Sequence, residues 1–287
     1  MTHQPLRDVA YRLPWRSSGI RQGVHRSGMT GGGGKFKDLA PLLDQPDPRR
    51  IALRASLTNP FEQLLVRRFE QTTAISVYAL IDISASMNFR GRAHKLSLAA
   101  DLVDALAQCA ARAGDKFGVI AFGDTVAPDH LLPATRSASA HTSVVESFRR
   151  LQPSDRGTGG IEEAAGFIAG RRKLVFLISD FLNPPAEIDL MFSCLAMHDV
   201  IPIELDDSRQ VDDLPDWGML RLNDLETNAQ RLVMLRPALK AAWRARQAER
   251  QKGLHARCDA AGREAFTVKD NVDWNALAAY LTYGRRA

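Results

Sequence analysis

The chain has 287 residues, 45% of them hydrophobic and 25% charged, and a formal net charge of +5. That length and balance suit one large α/β domain, or one with appendages, and exclude a scaffold that depends on disulfides. No apolar run approaches the ~18–20 residues that span a bilayer, and Met1 to Trp15 lacks a signal-peptide core, so a cytoplasmic protein without membrane insertion is expected.

Residues 1–50 read as an irregular leader, because Gly31 to Gly34 favours neither helix nor strand and Leu42 to Pro48 is rich in proline and aspartate. Ile51, Leu53, Ala55 and Leu57 then alternate like a strand, Asn59-Pro60 turns the chain, and Leu64 to Val66 suggests a further short strand. These segments make residues 1–73 an irregular leader with a small β-rich appendage.

From Ile75 to Ile83 an unbroken apolar run predicts a strand buried on both faces. A helix over His94 to Ala113 follows, with Leu96, Ala99, Val103, Leu106 and Ala110 at helical spacing. Phe117 to Phe122 is a second strand. After a less regular section, helices are expected over Ser143 to Leu151 and Gly160 to Ala169. Lys173 to Ser179 and Val200 to Leu205 are two more apolar strands, with a helix from Pro185 to Met197 between them. Apolar strands alternating with helices imply a doubly wound, mostly parallel α/β sheet over residues 74–205. Residues 206–287 complete that domain. They offer an edge strand over Trp217 to Leu222, a helix from Arg236-Pro237 to about Cys258, a strand at Phe266 to Val268 and a closing helix from Asp273 to Tyr283.

In an open parallel sheet, ligands bind beyond the carboxyl ends of the strands, near the point where strand order reverses. Three segments place oxygen ligands there. The first strand runs into Asp82-Ile83-Ser84-Ala85-Ser86, a DxSxS pattern; Gly157-Thr158-Gly159 opens a helix; the third apolar strand ends in Ser179-Asp180. Two carboxylates and three hydroxyls are hard ligands of the kind that Mg2+ or Mn2+ prefers. Singly, each residue could merely cap a helix. Jointly, Asp82, Ser84, Ser86, Thr158 and Asp180 form a candidate metal site.

This constellation resembles the metal-ion-dependent adhesion site of von Willebrand factor A and integrin I domains. The resemblance covers about Ala74 to Leu205, with every ligand position occupied. It implies a Rossmann-like fold, direct metal bonds from Ser84, Ser86 and Thr158, partly water-mediated bonds from Asp82 and Asp180, and an open position for a partner's acidic side chain. A finer resemblance rests on His25-Arg26-Ser27, Val66 to Glu70, Asp82 to Met87, Gly114 to Gly118, Asn223 to Thr227, the arginine-rich helix and Leu281 to Tyr283. It is to the bacterial von Willebrand A-like proteins that accompany MoxR-type AAA+ ATPases, the MoxS/MxaS-like proteins of methanol dehydrogenase gene clusters among them. It implies a chaperone-like adaptor, not an enzyme, whose partners are a MoxR-type ATPase and a client protein offering an acidic side chain. Gln45 to Leu53 departs from the acidic-aromatic stretch of many relatives, so the resemblance assigns the appendage no role.

Other functions fit less well. A haloacid dehalogenase-like phosphatase needs a second aspartate two positions after the first, and Ser84 stands there. No phosphate-binding loop is present; Gly31 to Gly34 before Lys35 lacks the preceding strand and the hydroxyl residue. The net positive charge leaves room for a basic nucleic-acid-binding scaffold, but no nucleic-acid motif accompanies it and nucleic acid is not expected as a partner. Arg244, Arg246, Arg250 and Arg257 read as a solvated helical face or a docking surface for an acidic partner. Cys109, Cys194 and Cys258 form no CxxC pair and read as reduced small hydrophobes.

Overall fold

The structure, a computed structural model, describes residues 11, 13–15, 22–44, 46–151, 157–223 and 230–283. It divides into two compact units, Leu13–Ile75 and Ser76–Ala287 with Met1–Arg12.

In the first unit a long strand, β1 (Gln22–Pro41), pairs antiparallel with β2 (Leu65–Thr73), and a short helix, α1 (Leu53–Leu57), lies between them in sequence. Two expectations fail here. The tetraglycine lies inside β1, in a stretch where the register shifts between Gly31 and Phe36; irregular pairing is where glycine is tolerated in a strand. The expected strand at 51–57 makes only a single bridge, Ile51 to Val66, and then coils into α1. Its alternating apolar residues have no sheet to face, since Leu53 and Leu57 are 70% and 86% exposed. Ser56 stabilises the coil instead: its hydroxyl donates to the Ala52 carbonyl at 3.0 Å and accepts from the Leu65 amide at 2.9 Å.

The second unit is the expected α/β sheet. In chain order its elements are β3 (Ser76–Asp82), α2 (Lys95–Arg112), β4 (Lys116–Phe122), β5 (Val126–Thr135), α3 (Ala138–Arg150), α4 (Ile161–Phe167), β6 (Leu174–Ser179), α5 (Pro185–Cys194) and β7 (Asp199–Asp206). A hairpin of β8 (Gly218–Asn223) and β9 (Gln230–Leu235) follows, then α6 (Pro237–Ala260), β10 (Phe266–Lys269) and α7 (Trp274–Tyr283). The main sheet has six strands in the order β10-β7-β6-β3-β4-β5, all parallel except β5. Every residue of β6 and β7 is buried, and β6 reads as an apolar run for that reason, while β7 also buries Asp199, Glu204 and Asp206. Tyr78 and Leu80 on one face of β3 join a core with Ile161 of α4, Met191 and Phe192 of α5 and Leu254 of α6. α2 packs on β3 and β4, burying Leu96, Ala99, Val103 and Leu106.

The less regular section after β4 is the antiparallel edge strand β5. Its two prolines, Pro128 and Pro133, disguise it, and an edge is where a strand accommodates proline. The expected edge strand at 217–222 does form, but it pairs with β9 rather than with the main sheet, whose edges are β10 and β5. Of the segment Asn223 to Thr227, all but Asn223 lies outside the described residues. Among the described residues, no helix is long and apolar enough to cross a membrane.

Candidate metal centre

Strand order runs outward from β3 through β4 to β5 on one side, and from β6 through β7 to β10 on the other. The switch point is therefore the β3–β6 boundary, and the loops leaving these two strands carry the candidate ligands.

Asp82 closes β3, fully buried. One of its carboxylate oxygens accepts from the Ser84 amide at 2.8 Å, and the other accepts from the Ser179 hydroxyl at 2.6 Å. The chain then turns through a 3-10 segment, Ala85–Asn88, which brings the Ser84 and Ser86 hydroxyls 3.2 Å apart. Ser86 donates to Asp180 Oδ1 at 3.2 Å. Asp180 Oδ2 accepts from the Lys95 ammonium at 2.6 Å, with both side chains 1% exposed. Four of the five expected residues thus converge.

Thr158 is the fifth. It is buried on the loop before α4, and Gly160 lets that loop press against the β4–β5 turn, since a Cβ there would lie 2.5 Å from the Thr125 carbonyl carbon. Its hydroxyl, however, donates to Glu187 Oε2 at 2.8 Å, an oxygen shared with the Asn183 amide at 3.4 Å. The structure does not hydrogen-bond Thr158 to the other four.

The loop after β6 is held under strain. Phe181 has a φ of 47°, a left-handed conformation that costs a non-glycine residue about 1–3 kcal/mol. Its buried ring stacks on Phe192, its amide donates to Ser179 Oγ at 2.9 Å, and Arg250 of α6 donates to the Asp180 and Phe181 carbonyls at 3.1 Å each. The same guanidinium reaches the fully buried Glu204 at 3.5 Å. Arg250 is therefore not part of a solvated face; nor are Arg244 and Arg257 free, since they pair with Asp212 and Asp189. Sequence reasoning missed Lys95, Ser179, Glu187 and Arg250. Lys95 left a signal: it lies on the buried stripe of α2 with Ala99, Leu102 and Leu106, where a lysine implies a buried acidic partner.

Burial, then the negative charge of Asp180, pushes the Asp82 carboxyl up to about 7, against the pull of the Ser179 and Ser84 hydrogen bonds. Lys95 pairs with Asp180, whereas Asp82 is held by the neutral donors Ser84 and Ser179. Among the described residues, no three His, Cys, Asp or Glu side chains converge as metal ligands, so a cation here must use hydroxyls. The donor set fits one. Adjacent ligands of an octahedral Mg2+ with bonds of ~2.0–2.1 Å stand about 3 Å apart, close to the two 3.2 Å spacings among Ser84, Ser86 and Asp180.

Known proteins give the following comparisons. The uncharacterized protein Mb1516 of Mycobacterium bovis is 24% identical over 290 residues, covering 98% of this chain and 89% of that protein. The uncharacterized protein MAV169 of Mycobacterium avium is 29% identical over 116 residues, 40% of this chain and 68% of that protein. Among solved structures, the conserved hypothetical protein BatB from Bacteroides thetaiotaomicron is 17% identical with a TM-score of 0.45, covering 71% of this chain and 96% of its own. The SpRpn10 VWA domain is 11% identical with a TM-score of 0.41, covering 75% of this chain and 100% of its own. The model of "Protein of unknown function DUF58" matches residues 55–253, and the chain belongs to that family.

Proposed function

We propose that the chain is a metal-dependent protein-binding adaptor without catalytic activity of its own. The observation that carries this reading is the convergence of the Ser84 and Ser86 hydroxyls with Asp180 at the switch point, above the buried carboxylate of Asp82. Ser84, Ser86 and Asp180 would hold Mg2+ or Mn2+, Asp82 would orient the loop from below through the Ser84 amide, and Thr158 would join by turning away from Glu187. A bound dication supplies an open, electrophilic coordination position that an acidic side chain of another protein can fill. The resemblance of Val66 to Glu70 and Gly114 to Gly118 to MoxR-associated proteins supports a MoxR-type AAA+ ATPase as one partner. The other would be a client in enzyme maturation, for instance a methanol dehydrogenase-type metalloenzyme.

The competing readings have less support. A nucleic-acid scaffold would use the basic face of α6, but Arg244, Arg250 and Arg257 are engaged with this protein's own groups. A phosphatase would need Asp82 as an accessible nucleophile, and both its oxygens accept hydrogen bonds below the surface.

The test is capture of the candidate ATPase on the immobilised full chain, with and without Mg2+, using wild type and Ser84→Ala/Ser86→Ala. Capture that requires Mg2+ and vanishes in the folded double variant supports the adaptor reading. Capture indifferent to both would remove the metal centre from the interface.

A further inference from the structure

We propose that Lys95 is a built-in cation that sets how tightly the switch-point cluster holds a divalent metal, keeping that affinity low until a partner's carboxylate completes the site. The inference rests on the reading of the cluster as a metal centre and adds to it a residue that the adhesion-site pattern does not include.

Lys95 is the first residue of α2, and its side chain is as buried as that of Asp180. An ammonium held away from water is costly and persists only with a close counter-charge. Here the counter-charge is Asp180 Oδ2 at 2.6 Å, and the remaining shell includes the Phe89 ring, 5.7 Å from Nζ to its centroid. The other oxygen of the same carboxylate is the one that meets Ser86. Any dication bound beside Oδ1 would therefore lie one carboxylate width from a fixed positive charge, with little water between to screen it.

Charge bookkeeping gives the consequence. Asp82 and Asp180 bring two negative charges when ionised, and Lys95 returns one positive. A dication then leaves the buried group with net positive charge, where two carboxylates alone would have neutralised it. Such a centre binds metal weakly by itself and more tightly once an anionic side chain arrives, so metal and partner favour each other. A cluster without the lysine would fill with metal whether or not a partner was present.

The experiment is Mn2+ titration of the full chain by calorimetry for wild type, Lys95→Gln, Lys95→Met and Lys95→Arg, with thermal melts to establish folding. Gln keeps a donor for Asp180 while removing the charge, which separates electrostatics from positioning. Lys95→Gln should bind Mn2+ about tenfold more tightly than wild type, or better, and Lys95→Arg should stay near wild type. Lys95→Met should also bind more tightly if it folds; if it does not, the Gln and Arg pair decides. Wild-type binding with Lys95→Gln unchanged or weaker would overturn this inference and leave the metal centre standing. No Mn2+ binding by wild type or any Lys95 variant would overturn both.

Discussion

Two groups of carboxylates lie past the carboxyl ends of the same sheet, and they differ in what their oxygens already hold. Beyond β7 and β10, Asp206 accepts from Gln247 and Gln251, and Asp207 accepts from the amides of Arg92, Ala93 and Arg209. Asp212 pairs with Lys269, Asp213 with Arg92, and Asp270 accepts from the Ser208 amide. Beyond β3 and β6, Asp82 and Asp180 are hydrogen-bonded as well, but their partners include the hydroxyls of Ser179 and Ser86, and Ser86 lies 3.2 Å from the Ser84 hydroxyl. The count of acidic residues would favour the first group as a cation site. The kind of partner favours the second, because a hydroxyl can turn its oxygen toward a metal, whereas the backbone amides, lysine and arginines around the first can only donate. The β7 rim is a clamp that fixes the chain between Ser86 and α2 through the Arg92 and Ala93 amides; the β3–β6 rim is what the clamp positions.

The sharpest way to break this division is Gly91→Ala. Its new Cβ would fall 2.0 Å from Asp207 Oδ1, so the clamp must open. Urea unfolding should show a loss of about 2–3 kcal/mol, and unchanged stability would mean that the Arg92–Ala93 amides do not depend on Asp207.

Arg250→Met tests the tie between α6 and the Asp180 loop. It leaves Glu204 buried without its guanidinium and frees two carbonyls, a loss of about 1–3 kcal/mol. Arg250→Lys should recover part of it; full stability in the Met variant would show that Phe181 holds its left-handed backbone unaided.

A pH series probes Asp82. Its folded carboxyl titrates at about 7, above the unfolded value near 3.9, so its favourable contribution is complete below about pH 4 and is lost as pH rises through 7. Chemical denaturation of the metal-free chain should therefore show stability falling over that window, and Asp82→Asn should flatten the fall. An identical slope in the variant would assign the titration to another group.

Arg92→Ala is the mildest case. The Arg92–Asp213 pair is largely exposed, with the arginine side chain 55% accessible, and its loss should leave the thermal melt nearly unchanged. A larger effect would place more of the clamp's strength in this ion pair than in the backbone amides on Asp207.

Sequence patterning disclosed the parallel sheet because β3, β6 and the Val200 to Ile203 stretch of β7 are buried on both faces and are almost wholly apolar. It singled out Asp82, Ser84, Ser86 and Asp180, which the structure brings together, because strand ends at a switch point narrow where ligands can lie. It failed where tertiary partners override local preference. Gly31 to Gly34 is drawn into β1 by pairing with β2, β5 carries prolines that an edge tolerates, and Ser56 coils the alternating 53–57 segment. Thr158 joins the candidate set by its place between glycines at a helix start, while in the structure its hydroxyl donates to Glu187, a partner that local sequence does not reveal. Lys95 and Arg250 were hidden for the same reason, since helical position shows burial but not the carboxylate or carbonyls waiting on another element.

The most direct test of the account is Mn2+ titration of the full chain in three forms: wild type, Ser84→Ala/Ser86→Ala and Asp212→Asn/Asp213→Asn. Mn2+ binding should vanish in the serine variant and persist in the aspartate variant. Binding retained without the two hydroxyls but lost with the two β7-rim carboxylates would move the metal centre from the β3–β6 boundary to the β7 rim.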